Sequence, residues 1–242
     1  DRSVSRGLGD VYKRQVLAKE AGLELGIKES IVVNDRMETS VPDIYAAGDA
    51  VQVKHYVTGN DALISLAGPA NKQGRIIADN ICGGDSRYLG SQGSSVIKVF
   101  DMTAATTGIN ETNAKKSGLE VDTVILSPMS HAGYYPGGKV MTMKVIFEKE
   151  SYRLLGAQII GYEGVDKRID VLATAIHAGL NATQLKDLDL AYAPPYSSAK
   201  DPVNMAGFMI DNIAKGTLKQ WHLEDMDKIS KDKDVVLLDV RT

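Results

Sequence analysis

Cysteine is nearly absent: the 242 residues contain one, Cys82. A single thiol excludes an internal disulfide framework and a zinc site built from several thiolates. Cys82 lies in Ile81-Cys82-Gly83-Gly84, where the pattern predicts a small buried residue ahead of a glycine helix stop rather than a nucleophile. Excess charge of one sign is absent as well. Lys plus Arg is 28 against 31 Asp plus Glu, a formal net charge of -3, which offers no general attraction for nucleic acid or an anionic membrane. No apolar run approaches the roughly 18 residues of a membrane span and no signal peptide is visible, so a cytoplasmic setting is expected. No G-x-G-x-x-G opens a strand-to-helix turn, so no backbone cradle for a dinucleotide pyrophosphate is encoded. Neither His55 nor His177 has an acidic partner at a telling spacing, and a metal site is not expected. What is present is a 43% hydrophobic composition, enough for one large or two small cores.

The chain is organised around residues 39–49, Thr-Ser-Val-Pro-Asp-Ile-Tyr-Ala-Ala-Gly-Asp. Pro42 fixes φ and cannot donate, so it suits a strand entrance, and Ile44 to Ala47 read as a short buried strand ending at Gly48. Glycine there permits close approach of another group, and Asp49 just after it can accept hydrogen bonds from ligand hydroxyls. The same pattern also fits an ordinary strand-to-turn exit.

The stretch resembles the second flavin-binding signature of FAD-dependent pyridine nucleotide-disulfide reductases, T-x(5)-Y-A-A-G-D. Downstream, Leu66-Ala67-Gly68-Pro69-Ala70-Asn71, His131-Ala132-Gly133-Tyr134-Tyr135-Pro136-Gly137 and Tyr192-Ala193-Pro194-Pro195-Tyr196-Ser197 continue the resemblance. Together these motifs are similar to the CoA-disulfide reductase and NADH oxidase branch, over roughly residues 16–215. The resemblance implies FAD and NADPH or NADH as cofactors, with Gly48 and Asp49 on the flavin's ribityl and pyrophosphate part. It implies that the helix end at Leu66 and Ala67 faces the pyrimidine edge of the isoalloxazine. It also implies a homodimer in which Tyr134 and Tyr192 reach towards the partner's redox cysteine, with Asn71 and Lys200 near a CoA substrate. Each has a plainer reading too. The tyrosines can be loop anchors, Asn71 an exposed helix residue, and Lys200 a solvated lysine.

In chain order, residues 1–15 lack periodicity, resemble a translated sequencing adapter and are set aside as non-native. Residues 16–84 are expected to be the C-terminal part of an FAD/NAD(P)-binding domain, with a half-buried strand Val51 to Tyr56 and a helix from Ala62 to Cys82. Pro69 fits that helix best in its first turn. Glycine-rich turns at 83–94 mark a boundary, and 85–216 read as a dimerisation domain. Its predicted strands are Val96 to Phe100, Val121 to Leu126, Lys139 to Phe147 and Arg153 to Ile160, the last two joined by the turn Glu148 to Ser151. Helices are predicted over Asn110 to Ser117, Asp166 to Ala178 and Val203 to Lys215. The expected fold class is α/β plus α+β: the tail of a Rossmann-like domain followed by an antiparallel-sheet domain. Residues 217–242 read as a linker, and Leu237-Leu238-Asp239-Val240-Arg241 resembles the opening of a rhodanese domain.

The reading these features support is a fragment, inactive alone, of an enzyme passing electrons from NAD(P)H through FAD to CoA disulfide or CoA persulfide. A water-forming NADH oxidase or NADH peroxidase of the same family is the alternative. From another class, a non-catalytic dimerisation module remains.

Overall fold

The computed structural model describes residues 15–236 and 238. The adapter-like segment and most of the rhodanese-like run therefore lie outside the described residues.

The N-terminal part is loop-rich and gathers a small core of Met37, Val51 and Val53 with Ile31, Ile76 and Ile77 against it. Strand β1 (Val53–Lys54) pairs antiparallel with β2 (Asp61–Ala62), and helix α1 (Ala67–Ile81) follows. Pro69 does occupy the first turn of α1, as its missing N–H and fixed φ require. The helix starts at Ala67 and not at Ala62, because Asp61 and Ala62 are taken up by the ladder to β1. Ile44 to Ala47 form no strand: Tyr45 makes one isolated bridge, to Glu38, and Gly48–Ala50 is a 3-10 turn. A single bridge lacks the successive ladder bonds that make a strand. Cys82 is exposed, a correction to the buried position expected, although Gly83 after it has the positive φ of a glycine helix stop.

The larger core lies in the second part. Five strands, β3 (Ser95–Val99), β4 (Met102–Gly108), β5 (Val121–Leu126), β6 (Thr142–Glu148) and β7 (Leu154–Gly161), form one antiparallel sheet in the order β3-β4-β7-β6-β5. Helix α2 (Glu111–Lys116) is capped by the Asn110 side chain, which accepts from the Asn113 N–H at 2.8 Å. Helices α3 (Val165–His177) and α4 (Pro202–Ala214) cover one sheet face, burying Leu172, Ile176, Val203 and Ile210 against Met143, Val145, Ala157 and Ile159. Strand β4 is not among the strands that the sequence pattern predicts. Its Met-Thr-Ala-Ala-Thr-Thr-Gly run has little hydrophobicity, and it is a strand because β3 and β7 pair with it on both sides.

The other sheet face is open. Ile97, Ala104, Thr106, Thr142, Lys144, Gln158 and Ile160 share it by register and line a shallow groove of about 410 Å³. Ile97, Ile125 and Ile160 are exposed on it.

Close backbone approach at Gly156 ties the sheet to the turn before α2. A Cβ there would stand 2.0 Å from the Ile109 carbonyl oxygen, whose residue also bonds Leu155 through its N–H. Gly156→Ala is therefore expected to cost about 1–3 kcal/mol. Urea unfolding checks this: the midpoint should fall with an unchanged slope.

Candidate functional site

Two loops converge at one end of the sheet. The first runs from β5 to β6 and is pinned by the Met129–Val140 bridge and by Ser130, whose N–H donates to the Lys139 carbonyl at 2.7 Å. The second links a 3-10 segment, Ala182–Asp187, to α4. Ala132 N–H of the first donates to the Ser197 carbonyl of the second at 3.0 Å. The phenol oxygens of Tyr134 and Tyr192, 58 residues apart in sequence, then lie 2.7 Å from each other. Both rings are exposed. The hydrogen bond between the Tyr192 hydroxyl and Tyr134, with some desolvation, raises the Tyr192 phenol above its usual value.

Beneath this pair sits Arg168, 1% exposed and unpredicted. Its Nη2 donates to the Ser130 carbonyl and to Asp201 Oδ2, each at 2.9 Å, and Nε donates to Asp201 Oδ2 at 3.1 Å. Nη2 also meets Ser197 Oγ at 3.2 Å, Nη1 donates to the Gly164 carbonyl at 3.2 Å, and the Ser197 hydroxyl donates to Asp201 Oδ2 at 2.6 Å. Gly164, with φ +67, makes room: a Cβ there would lie 2.0 Å from Arg168 Nη1. Asp201 is the N-cap of α4, its side chain accepting from Val203 N–H at 3.0 Å, while the Asp201 N–H donates to Asn204 Oδ1 at 3.1 Å. Burial pushes the Asp201 carboxyl up, but Arg168, the Ser197 hydroxyl and the Val203 N–H outweigh it, so the net direction is down. The sequence did hold a signal for this. Arg168 falls on the helix face of Val165 and Leu172, at i+3 and i−4, where a charge demands a buried partner.

The network floors a cavity of about 580 Å³ lined by Ser130, His131, Lys167, Tyr192 and Tyr196 among others. His131 is buried, with Nδ1 3.1 Å from the Ala132 carbonyl and its ring edge-on to Tyr135 at 5.6 Å.

The remaining predicted residues form a second locality around α1. Gly48, with φ +74, donates its N–H to Oε1 of buried Gln73 at 2.7 Å, which fixes the turn bearing exposed Asp49 to the helix. Leu66 is the N-cap of α1 and supplies no side-chain cap. Its own N–H donates to the Ile64 carbonyl, while the Ala67 and Gly68 N–H groups lie in the first turn, where no intrahelical acceptor is available. Asn71 is exposed and gives its side-chain amide to the Ala67 carbonyl at 2.9 Å. Lys200 is exposed on the loop before α4. Neither Asn71 nor Lys200 belongs to the Arg168 network. Among the described residues no group of His, Cys, Asp and Glu could hold a metal ion, and no helix is long and apolar enough to cross a membrane.

Residues 94–202 match the family described as "Pyridine nucleotide-disulphide oxidoreductase, dimerisation domain", and residues 7–74 match "Pyridine nucleotide-disulphide oxidoreductase". The chain thus carries two domains of the pyridine nucleotide-disulphide oxidoreductase family. The second match begins inside the stretch 1–15. Among its relatives, the coenzyme A disulfide reductase of Staphylococcus aureus strain bovine RF122 is 36% identical over 206 residues, 85% of this chain and 46% of that protein. A crystal structure of reduced Bacillus anthracis CoADR-RHD is 51% identical with a TM-score of 0.86, covering 89% of this chain and 39% of that one. A NAD-dependent persulfide reductase from A. fulgidus is 45% identical with a TM-score of 0.82, over 85% and 38%. The chain spans less than half the length of the curated relatives it matches, 42% of some and 46% of others.

Removing Asp201 would leave a buried guanidinium unpaired, so Asp201→Asn is expected to cost about 3–5 kcal/mol in urea unfolding. The pH dependence has a definite sign. A carboxyl lowered in the folded state stabilises it above the ordinary carboxylate range, and that contribution fades as the pH falls through this range towards the lowered value. Acid titration of Asp201→Asn should lack this component of the wild-type stability loss.

Proposed function

We propose that this chain is part of an NAD(P)H-dependent flavoenzyme that reduces a CoA disulfide or CoA persulfide. The observation that carries the reading is the Tyr134–Tyr192 contact, because two phenols 2.7 Å apart at an exposed loop tip have no packing purpose there. A hydrogen-bonded pair of phenols can donate a proton to a departing thiolate, and a proton donor in place is worth about 10²–10⁴-fold in rate. Relatives at 36–51% identity bearing CoA disulfide and persulfide reductase names support the substrate class.

FAD fits the residues around α1. Asp49 offers a carboxylate to hydroxyl groups, Gly48 keeps the turn open, and the Ala67 and Gly68 N–H groups beside Leu66 form an uncapped helix end suited to negative charge. Bound there, the flavin would supply the two-electron relay between NADH or NADPH and the disulfide. This chain's residues hold it, orient it and deliver the proton. Asn71 and Lys200 are assigned to the CoA moiety, Lys200 through its charge.

The homodimer is supported by the open sheet face with Ile97, Ile125 and Ile160 exposed, and by the match to a dimerisation domain. In it Tyr134 and Tyr192 would serve the partner's active site. We further propose residues 16–84 as the end of the cofactor-binding domain, 85–216 as the dimerisation domain, and the run from Val235 as the start of a rhodanese module, with a cytoplasmic setting.

The test is on the complete reading frame that contains this sequence. Its product should carry FAD and oxidise NADH or NADPH with CoA disulfide or CoA persulfide in the absence of oxygen. Tyr134→Phe with Tyr192→Phe should lower kcat about 10²-fold or more. Rapid oxygen reduction with no response to either CoA compound would overturn the substrate assignment in favour of an NADH oxidase.

A further inference from the structure

Two loops far apart in sequence meet with their phenols at hydrogen-bond distance, although neither ring is packed into a core. Something beneath them has to set that distance. The direct backbone link is the single bond from Ala132 N–H to the Ser197 carbonyl. Arg168 adds a second link, bonding the Ser130 carbonyl on the first loop and the Tyr196 carbonyl, Ser197 Oγ and Asp201 on the second, while Nη1 anchors it to Gly164 at the start of α3.

Under the proposed role of Tyr134 and Tyr192, we infer that Arg168 is a positioning residue for the reaction: one guanidinium fastens both tyrosine loops and so fixes the separation of the two phenols. A buried ion pair is a poor device for stability alone, since well-packed apolar residues of the same volume serve as well or better. A guanidinium does what they cannot. Its donors lie in one rigid plane, so acceptors on α3, on the first loop and on the second are held at set angles to each other. Lysine offers a point charge on a flexible stem and cannot span the same acceptors. The Asp201 carboxylate completes the plane and, as the N-cap of α4, transmits its position to that helix. Arg168 reaches the floor of the cavity beside Tyr192 and acts on the reaction through the loops.

The experiment uses the 242-residue chain with ring-labelled tyrosine and NMR detection. With Arg168 in place, Tyr134→Phe should move the Tyr192 ring signal, because it removes the bond between the phenols. In Arg168→Lys the same Tyr134→Phe change should move that signal by about half as much or less, a coupling lost with the clamp. A folded Arg168→Lys in which the effect is undiminished overturns the inference. Should Arg168→Lys not fold, Ser197→Ala decides: it keeps the Ala132 bond to the Ser197 carbonyl and removes only the hydroxyl between Arg168 and Asp201. Weakened coupling supports the clamp and unchanged coupling overturns it. In the complete enzyme, Arg168→Lys should lower kcat about tenfold to a hundredfold with the KM for the nicotinamide cofactor unchanged. A wild-type enzyme that ignores CoA disulfide and persulfide would defeat the proposed function, while the NMR coupling would still judge the clamp.

Discussion

The buried Arg168–Asp201 pair is the constraint on which the rest of the site depends. Both groups are almost wholly removed from water, at 1% and 3% side-chain exposure, and removing either would leave the other's charge buried and unpaired. Their demand for partners organises everything near them. Ser130 and Ser197 turn inwards to satisfy the guanidinium and carboxylate, α4 starts at Asp201, and Gly164 yields the space its Cβ would fill. The phenols meet on the outside of this arrangement. Position at the surface follows from electrostatics in the interior.

The sheet contributes rigidity of a different kind. Strand β6 is buried along most of its length between β5 and β7, and the two ends of the β5–β6 connection are thereby fixed. Glu111 shows how the periphery is held: Lys115 first and Lys144 second lower its carboxyl to about 2, which fastens α2 to the sheet's open face. The tail beyond α4 is also tied down, with His222 Nε2 2.8 Å from Asp122 Oδ1 and Gln220 donating to the Thr123 carbonyl. A frame this well braced can carry loops whose tips remain exposed and polar.

Much of this was legible in the sequence wherever a local rule decides the outcome. Asn110 and Gly118 bracket α2 because a side-chain cap and a positive φ act within a few residues. Pro69 fixed the first turn of α1, and the polar turn after Glu148 joined β6 to β7. What local pattern could not reach were the features made by partners. Strand β4 has only Ala105 and Thr107 buried and owes its form to its neighbours. Ile44 to Ala47 read as a strand but make a single bridge, and Arg168 takes its role from Ser130 and Asp201, partners on distant segments. The two tyrosines stand in recognisable motifs, yet their contact is a fact of tertiary structure that no spacing encodes.

The central claim is that the two tyrosine loops and the start of α4 behave as one unit. Native-state hydrogen exchange tests it most directly, through the Ala132 amide, bonded to the Ser197 carbonyl, and the Val203 amide, bonded to Asp201. One cooperative unit predicts the same opening free energy for both amides. Exchange of Ala132 orders of magnitude faster than Val203 would mean that the first loop opens by itself, and would contradict the account.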